Sequence, residues 1–143
     1  MDPDRKISLR TATMAARRSL RAGERATASR AIVERLRGLP ELRKARIVLL
    51  YAALAEEADV GALIAPLHAR GVRTVFPRVL GEKLELVAAS DLRTLQLGYR
   101  GIREPVGPVV DPAAIDAVLA PGVAFDPHGG RLGQGGGLSL IHI

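Results

Sequence analysis

The stretch Arg46-Ile-Val-Leu-Leu-Tyr-Ala-Ala53 decides the fold. It is a continuous apolar run with β-branched residues, too short for a good helix, and it reads as a buried strand. The chain supplies a cover for it just downstream. Asp59 caps a helix running to about Ala69 that turns Val60, Leu63, Ile64 and Leu67 inward, and Gly71 stops it. Pro66 inside that helix should kink or loosen its last turns. Residues 72–76 then form a second strand. Strand, helix and strand make a β-α-β unit, whose crossover is right-handed and whose strands are parallel.

Upstream of this unit the period is helical. Residues 24–37 place Ala28, Ala31, Ile32 and Leu36 on one face, and Gly38 and Pro40 end the segment. Before it, Ile7, Leu9, Met14 and Leu20 give an imperfect helical stripe that stops near Ala22-Gly23. Downstream, residues 82–88 alternate through Leu84, Leu86 and Ala88, a half-exposed strand paired with residues 78–80 through Gly81. Ser90-Asp91 starts a short helix, and residues 98–111 are a Gly/Pro-rich loop. Ile115-Asp-Ala-Val-Leu-Ala-Pro121 reads as another buried strand, and residues 125–137 as a loop. The order predicts an α/β fold: a mostly parallel sheet flanked by helices, with ligands at the carboxyl ends of the strands.

Composition narrows the function classes. The 143 residues fit one domain, and 48% hydrophobic with 25% charged residues is ordinary for a globular chain. There is no cysteine, so disulfides, thiolate chemistry and cysteine–zinc sites are excluded. No apolar run approaches the roughly 20 residues of a membrane span. The Arg-rich start lacks the apolar core of a secretory signal, and Asp2 and Asp4 argue against a transit peptide. A cytoplasmic location is the expectation. The net charge of +6 is unevenly placed: residues 1–46 carry 13 Lys/Arg against 5 Asp/Glu, while the remainder is slightly acidic. With 3% aromatic residues and no recognisable nucleic-acid module, this basic segment fits a polyanionic small ligand better than a nucleic acid.

Gly129-Gly-Arg-Leu-Gly-Gln-Gly-Gly-Gly137 is the strongest local signal. Glycines let backbone N–H groups turn inward and approach a phosphate, and Arg131 adds a fork of charged donors. No Lys-Ser/Thr follows, so it is not a Walker A loop, and no helix follows, so it is not a dinucleotide turn. From glycine content alone it reads equally as a phosphate cradle or a flexible tail.

This block, preceded by Pro121-Gly-Val-Ala-Phe-Asp126, closely resembles the signature of 5-formyltetrahydrofolate cyclo-ligases. Lys6-Ile-Ser-Leu-Arg10 resembles the family's N-terminal basic motif. Tyr51 through Glu57-Ala-Asp59, Phe76-Pro-Arg78 and Gly101-Ile-Arg-Glu-Pro105 resemble three further motifs in family order. The glycine block is the specific one; the other four gain weight from their order. The resemblance covers residues 6–137 and implies a three-layer α/β domain over residues 1–137, similar to sugar-phosphate isomerase and CoA-transferase folds. It also implies an enzyme that uses ATP and Mg²⁺ to convert 5-formyltetrahydrofolate to 5,10-methenyltetrahydrofolate, with ADP and phosphate released. Small-molecule partners are implied, not nucleic acid or membrane, and the chain is expected to be a monomer.

Carried over position by position, the resemblance makes Lys6, Ile7, Ser8, Leu9 and Arg10 part of the ATP site, with Lys6 and Arg10 on the phosphates. Arg131, Leu132, Gly133, Gln134, Gly135, Gly136 and Gly137 would wrap the triphosphate, and Arg131 and Gln134 would act in catalysis. Ala52, Glu57, Gln134, Gly135, Gly136 and Gly137 would contact the folate, Glu57 by accepting from pterin N–H groups. Arg78 would reach a phosphate or pair with Glu104. Other residues carry plainer expectations. Tyr51 belongs to the core, Asp126 orders its turn, and Arg17 and Arg18 are surface charges. His68 and His128 lack partners at metal spacing, so no metal-ligating residue is assigned.

The resemblance breaks after Gly137. The family continues with two aromatics and an Asp associated with Mg²⁺, whereas this chain reads Leu138-Ser-Leu-Ile-His-Ile143. Leu140 stands at the acid's place, and a hydrophobe cannot ligate a hard cation. Residues 138–143 are therefore expected to be a non-family tail on a truncated domain, and the chain to be poorly stable and inactive. The alternatives are a phosphosugar-binding or isomerase-like protein, with Glu57 or Glu104 as base, and a non-catalytic nucleotide- or folate-binding fragment.

Overall fold

The computed structural model describes residues 2–134. Helix α1, Pro3–Arg18, has the end chemistry a helix needs: Asp2 accepts the Asp4 N–H at 3.2 Å, Pro3 opens the first turn, and Arg17 and Arg18 sit in the last. Its inward face is not the apolar stripe expected. Ile7, Leu9 and Leu20 are 59%, 37% and 39% exposed, and the half-buried positions are Arg10, Thr13, Met14 and Arg17. The helix stops at Arg18, and Ala22 begins the next one rather than closing the first.

Helix α2, Ala22–Arg37, buries Ser29 and Val33, with Leu36 packed beside the core. The expected face of Ala28, Ala31 and Ile32 is turned to solvent. A polar anchor accounts for the rotation: the Ser29 hydroxyl accepts the Asp59 N–H at 2.9 Å, which fixes the helix azimuth over the end of the first strand. A short helix α3, Pro40–Lys44, buries Leu42 beneath it. Pro40 opens this helix, a role for which its fixed φ suits it, besides ending α2.

Strand β1, Ile47–Leu49, follows, and its pairing continues one residue further, where Leu50 N donates to Val75 O at 2.8 Å. A 3-10 turn, Gly61–Leu63, then leads into α4, Ile64–Ala69. Val60, Leu63, Ile64 and Leu67 are all buried, as the sequence predicts. Pro66 falls in the first turn of α4, where its missing N–H is harmless, so its mark is the 3-10 entry and not a kinked exit. Gly71, at φ +77°, closes the helix in the left-handed region. Strands β2, Arg73–Leu80, and β3, Lys83–Ala88, form a hairpin through Gly81 at φ +62°.

Beyond it, β4, Gln96–Leu97, and β5, Arg103–Glu104, make a small hairpin whose second strand lies within the segment predicted as loop. Strand β6, Ala117–Val118, returns to the main sheet, whose order is β3-β2-β1-β6. The contacts β2–β1 and β1–β6 are parallel; β2–β3 is antiparallel. At the outside of the four-stranded sheet β6 is half exposed, with Val118 44% open, rather than buried on both faces. Asp116 fastens it, its carboxylate accepting the N–H groups of Arg46 (2.8 Å) and Ile47 (3.0 Å).

The pleat sorts the core. Val48, Leu50 and Phe76 face α2, α3 and α4, while Leu49, Val75 and Leu86 face Val110 and the partly buried Ile115. Among the described residues, the second cover is the 105–115 segment, so helices and this strap enclose the sheet as three layers. On the helical side, Thr74 donates to Ala89 O at 2.6 Å and so accepts from Nε2–H of His68 at 2.8 Å.

Candidate functional site

The parallel strands aim their carboxyl ends at one rim, and β1 runs into a tight turn there. Glu57 N donates to Leu54 O at 3.0 Å, and the Glu57 carboxylate returns the bond by accepting Leu54 N–H at 2.8 Å. Glu57 is thus held by its own turn. Ala52 is buried just before this turn. Tyr51 packs against the core and donates its hydroxyl to Ala58 O at 2.7 Å. Burial, then the nearby carboxylates of Glu57 and Asp59, push the Tyr51 phenol up to about 12.

Helices α1 and α2 clamp the turn from outside. Arg18 gives Nε–H to both oxygens of Glu56, at 3.1 and 3.3 Å. Arg25 reaches from α2 to Ala55 O (3.3 Å), Leu20 O (2.9 Å) and Arg17 O (3.4 Å), tying the α1–α2 junction to the strand end.

The other half of α1 meets the glycine segment. That segment is a hairpin rather than a loop: β7, Ala124–Phe125, pairs with β8, Arg131–Leu132. Asp126 closes it, accepting N–H bonds from His128 and Gly130 at 2.8 Å each. Arg10 then donates Nε–H to Gly133 O at 2.8 Å. Lys6, one turn before Arg10 on the same side of the helix, is exposed, as are Ile7, Ser8 and Leu9. A groove of about 470 Å³ lined by Asp4, Arg5, Ser8 and Leu9 runs along this end. Arg131 is half buried and donates Nη1–H to Pro121 O. Gln134 is exposed; Gly135, Gly136 and Gly137 lie outside the described residues.

One helix therefore touches both predicted half-sites. Arg10 and Arg18 are eight residues apart, about 12 Å along the axis at the α-helical rise. That is a spacing on the scale of a small ligand that reaches from the glycine hairpin to the end of β1.

The family model for 5-formyltetrahydrofolate cyclo-ligases matches residues 2–139. The chain belongs to the 5-formyltetrahydrofolate cyclo-ligase family. A 5-formyltetrahydrofolate cyclo-ligase of Mycolicibacterium smegmatis is 33% identical over 150 residues, covering 96% of this chain and 74% of the relative. The NMR structure of Aquifex aeolicus 5,10-methenyltetrahydrofolate synthetase superposes with a TM-score of 0.81 at 34% identity, covering 92% of this chain and 68% of that one. A 5,10-methenyltetrahydrofolate synthetase from Mycoplasma pneumoniae superposes at 0.74 with 23% identity, over 96% and 74% of the two chains; at that identity it supports the fold alone.

Within this cyclo-ligase fold, two expectations about charged residues change. Arg78 pairs with Glu85, its neighbour across the β2–β3 hairpin, at 3.1 Å and not with Glu104. Glu104 instead accepts Val79 N–H at 2.7 Å. The second change is Arg17, expected at the surface: its side chain is only 15% exposed. The signal was present in the sequence, since residues 10, 13, 14 and 17 recur at helical spacing, but a polar stripe is not what a search for a core looks for.

For the Mg²⁺ implied by the cyclo-ligase family, no group of three His, Cys, Asp or Glu residues able to hold a metal occurs among the described residues. They do not fit a protein-held cation. No described helix is long and apolar enough to cross a membrane.

Proposed function

We propose that this chain carries the ATP- and folate-binding parts for the chemistry of its family, ring closure of 5-formyltetrahydrofolate to 5,10-methenyltetrahydrofolate with release of ADP and phosphate, and that its own turnover is lost because Leu140 stands at the place of the metal-associated acid. The observation that carries the reading is the bond from Arg10 to Gly133, which sets the basic motif of α1 against the glycine hairpin. In this reaction the formyl oxygen attacks the γ-phosphorus and ADP leaves. N10 then adds to the activated carbon and gives up its proton to solvent, and the carbon–oxygen bond breaks to release phosphate. The protein's part in phosphoryl transfer is positioning and charge neutralisation. Lys6 and Arg10 supply cationic donors, and the N–H groups from residue 133 onward line the triphosphate. Arg131 and Gln134 face the transferring group once Arg131 leaves Pro121 O. Glu57, fixed through one oxygen, keeps the other for pterin N–H groups, beside Ala52.

An isomerase reading is less well supported. It needs a free carboxylate base, and both candidates, Glu57 and Glu104, are bonded to backbone N–H groups.

Because Leu140 stands at the place of the family's metal-associated acid, the deciding experiment reads binding before turnover. ATP with Mg²⁺, and separately 5-formyltetrahydrofolate, are expected to raise the melting temperature of the purified chain. Stabilisation by sugar phosphates and by neither of these ligands would overturn the proposal. Methenyl product absorbance then tests turnover.

A further inference from the structure

Arg17 is a charge without an adequate counterpart. Glu56, the acid it pairs with, is 3.8 Å away, too far for a hydrogen bond, and both Glu56 oxygens accept from Arg18. The Arg17 Nε and Nη2 atoms are buried and have no hydrogen-bond partner among the described residues. Burying charged donors with no acceptor costs free energy, and where Arg25 and Arg78 each leave only Nε so placed, Arg17 leaves two atoms of its guanidinium, which points to a missing partner.

The surroundings indicate which chemistry is missing. Arg17 lies on the half-buried stripe of α1 that also holds Arg10, so it faces into the protein, two turns beyond the glycine hairpin contact. Its charge acts on Tyr51 at the end of β1, as do those of Glu57 and Asp59. Glu57 spends one oxygen on Leu54 N–H. The strand end therefore carries an acceptor held in place and a fork of unused donors. That pair complements a heterocycle edge on which N–H and C=O groups alternate.

We propose that Arg17 is a folate-binding residue, its Nε–H and Nη2–H donating to an acceptor oxygen of the folate seated at the carboxyl end of β1. This rests on the functional reading above and adds to it a donor that complements Glu57. A purely structural ion pair with Glu56 is the competing account.

The test is calorimetric titration of 5-formyltetrahydrofolate, and separately ATP, into the wild-type chain, Arg17→Met and Arg17→Lys, with melting temperatures recorded. Arg17→Met is expected to lose folate affinity by about tenfold or more, roughly 1.4 kcal/mol per tenfold. Arg17→Lys should lose less, ATP affinity should hold within about twofold, and the melting temperature should not fall. Unchanged folate affinity in Arg17→Met overturns the inference alone, and a lowered melting temperature beside it assigns Arg17 to the Glu56 pair. Loss of ATP affinity with folate binding intact also overturns it. Failure of the wild type to bind folate sinks the functional reading as well. Repeating the titration with 5-formyltetrahydropteroate, which lacks the glutamate, places the acceptor: equal losses put it on the ring or formyl group, a loss confined to folate puts it on the tail carboxylate.

Discussion

Arg10 on the first helix and Gly133 at the end of the last described strand are joined at 2.8 Å across 123 positions of sequence. Arg10 ties the basic motif to the glycine hairpin, and under the proposed function its charge serves the polyphosphate. Arg10→Met should weaken ATP binding by roughly ten- to a hundredfold, the range expected for losing one hydrogen bond to a charged group, about 1.5–3 kcal/mol. Titration calorimetry with ATP checks this. Full ATP affinity together with a lower melting temperature would make the bond a structural clasp.

The parallel core was legible because it is written in uninterrupted apolar residues. Val48, Leu49 and Leu50, then Val60, Leu63, Ile64 and Leu67, then Val75 and Phe76 are buried where the β-α-β reading puts them. The helical faces were less legible, since a hydroxyl on Asp59 N–H turns α2 and polar contacts, not apolar ones, seat α1. Residues 98–111 looked like loop because a two-residue strand such as β5 carries no periodic signal, and β4, just before them, was missed for the same reason. The candidate site was read through the resemblance more than through residue type: glycine content left the block even between a cradle and a tail, Lys6–Arg10 took their role from the order of the motifs, and Arg17 becomes visible only when the helix is placed against the end of β1.

Ile32 belongs to the predicted core and not the observed one, whereas Leu63 belongs to both. Leu63 is 1% exposed in the cluster with Val48, Leu67 and Phe76, while Ile32, assigned by periodicity to the inner face, is 38% exposed. Leu63→Ala should cost about 2–5 kcal/mol through lost burial and a residual cavity. Ile32→Ala should cost no more than about 0.5 kcal/mol, as for surface substitutions generally. Urea denaturation of both variants measures the contrast, and equal losses would restore the periodicity reading of α2.

Tyr51 makes the fold alkali-sensitive. Its phenol is pushed up to about 12 in the folded chain, by burial first and by Glu57 and Asp59 next, against 10 for a free tyrosine. Below pH 10 both states hold the proton, and the stabilisation is complete. Between pH 10 and 12 the unfolded chain ionises while the folded chain does not, so stability falls as pH rises through that window. In Tyr51→Phe the fall should be shallower, and the bond to Ala58 O is lost. Denaturation midpoints from pH 9 to 12 test this; parallel curves for the two proteins would assign the alkaline loss to other groups.

Gly130 is required for a packing reason that concerns its neighbour more than itself. A Cβ there would lie 2.2 Å from Asp126 Oδ2 and 2.8 Å from its Cγ. That carboxylate cannot swing aside freely, because its other oxygen holds the N–H groups of His128 and Gly130. Gly130→Ala must therefore break the turn that closes β7 on β8 and presents Arg131, Leu132 and Gly133. We expect a loss of about 1–3 kcal/mol, the cost of stranding hydrogen-bonded groups, together with weaker ATP binding. The double variant Asp126→Ala/Gly130→Ala isolates the cause. If the clash with the carboxylate is responsible, the second substitution adds little once Asp126 is gone, and the coupling should reach about 0.5–3 kcal/mol. Additive losses would mean that Gly130 is needed for its backbone, independently of the Asp126 turn.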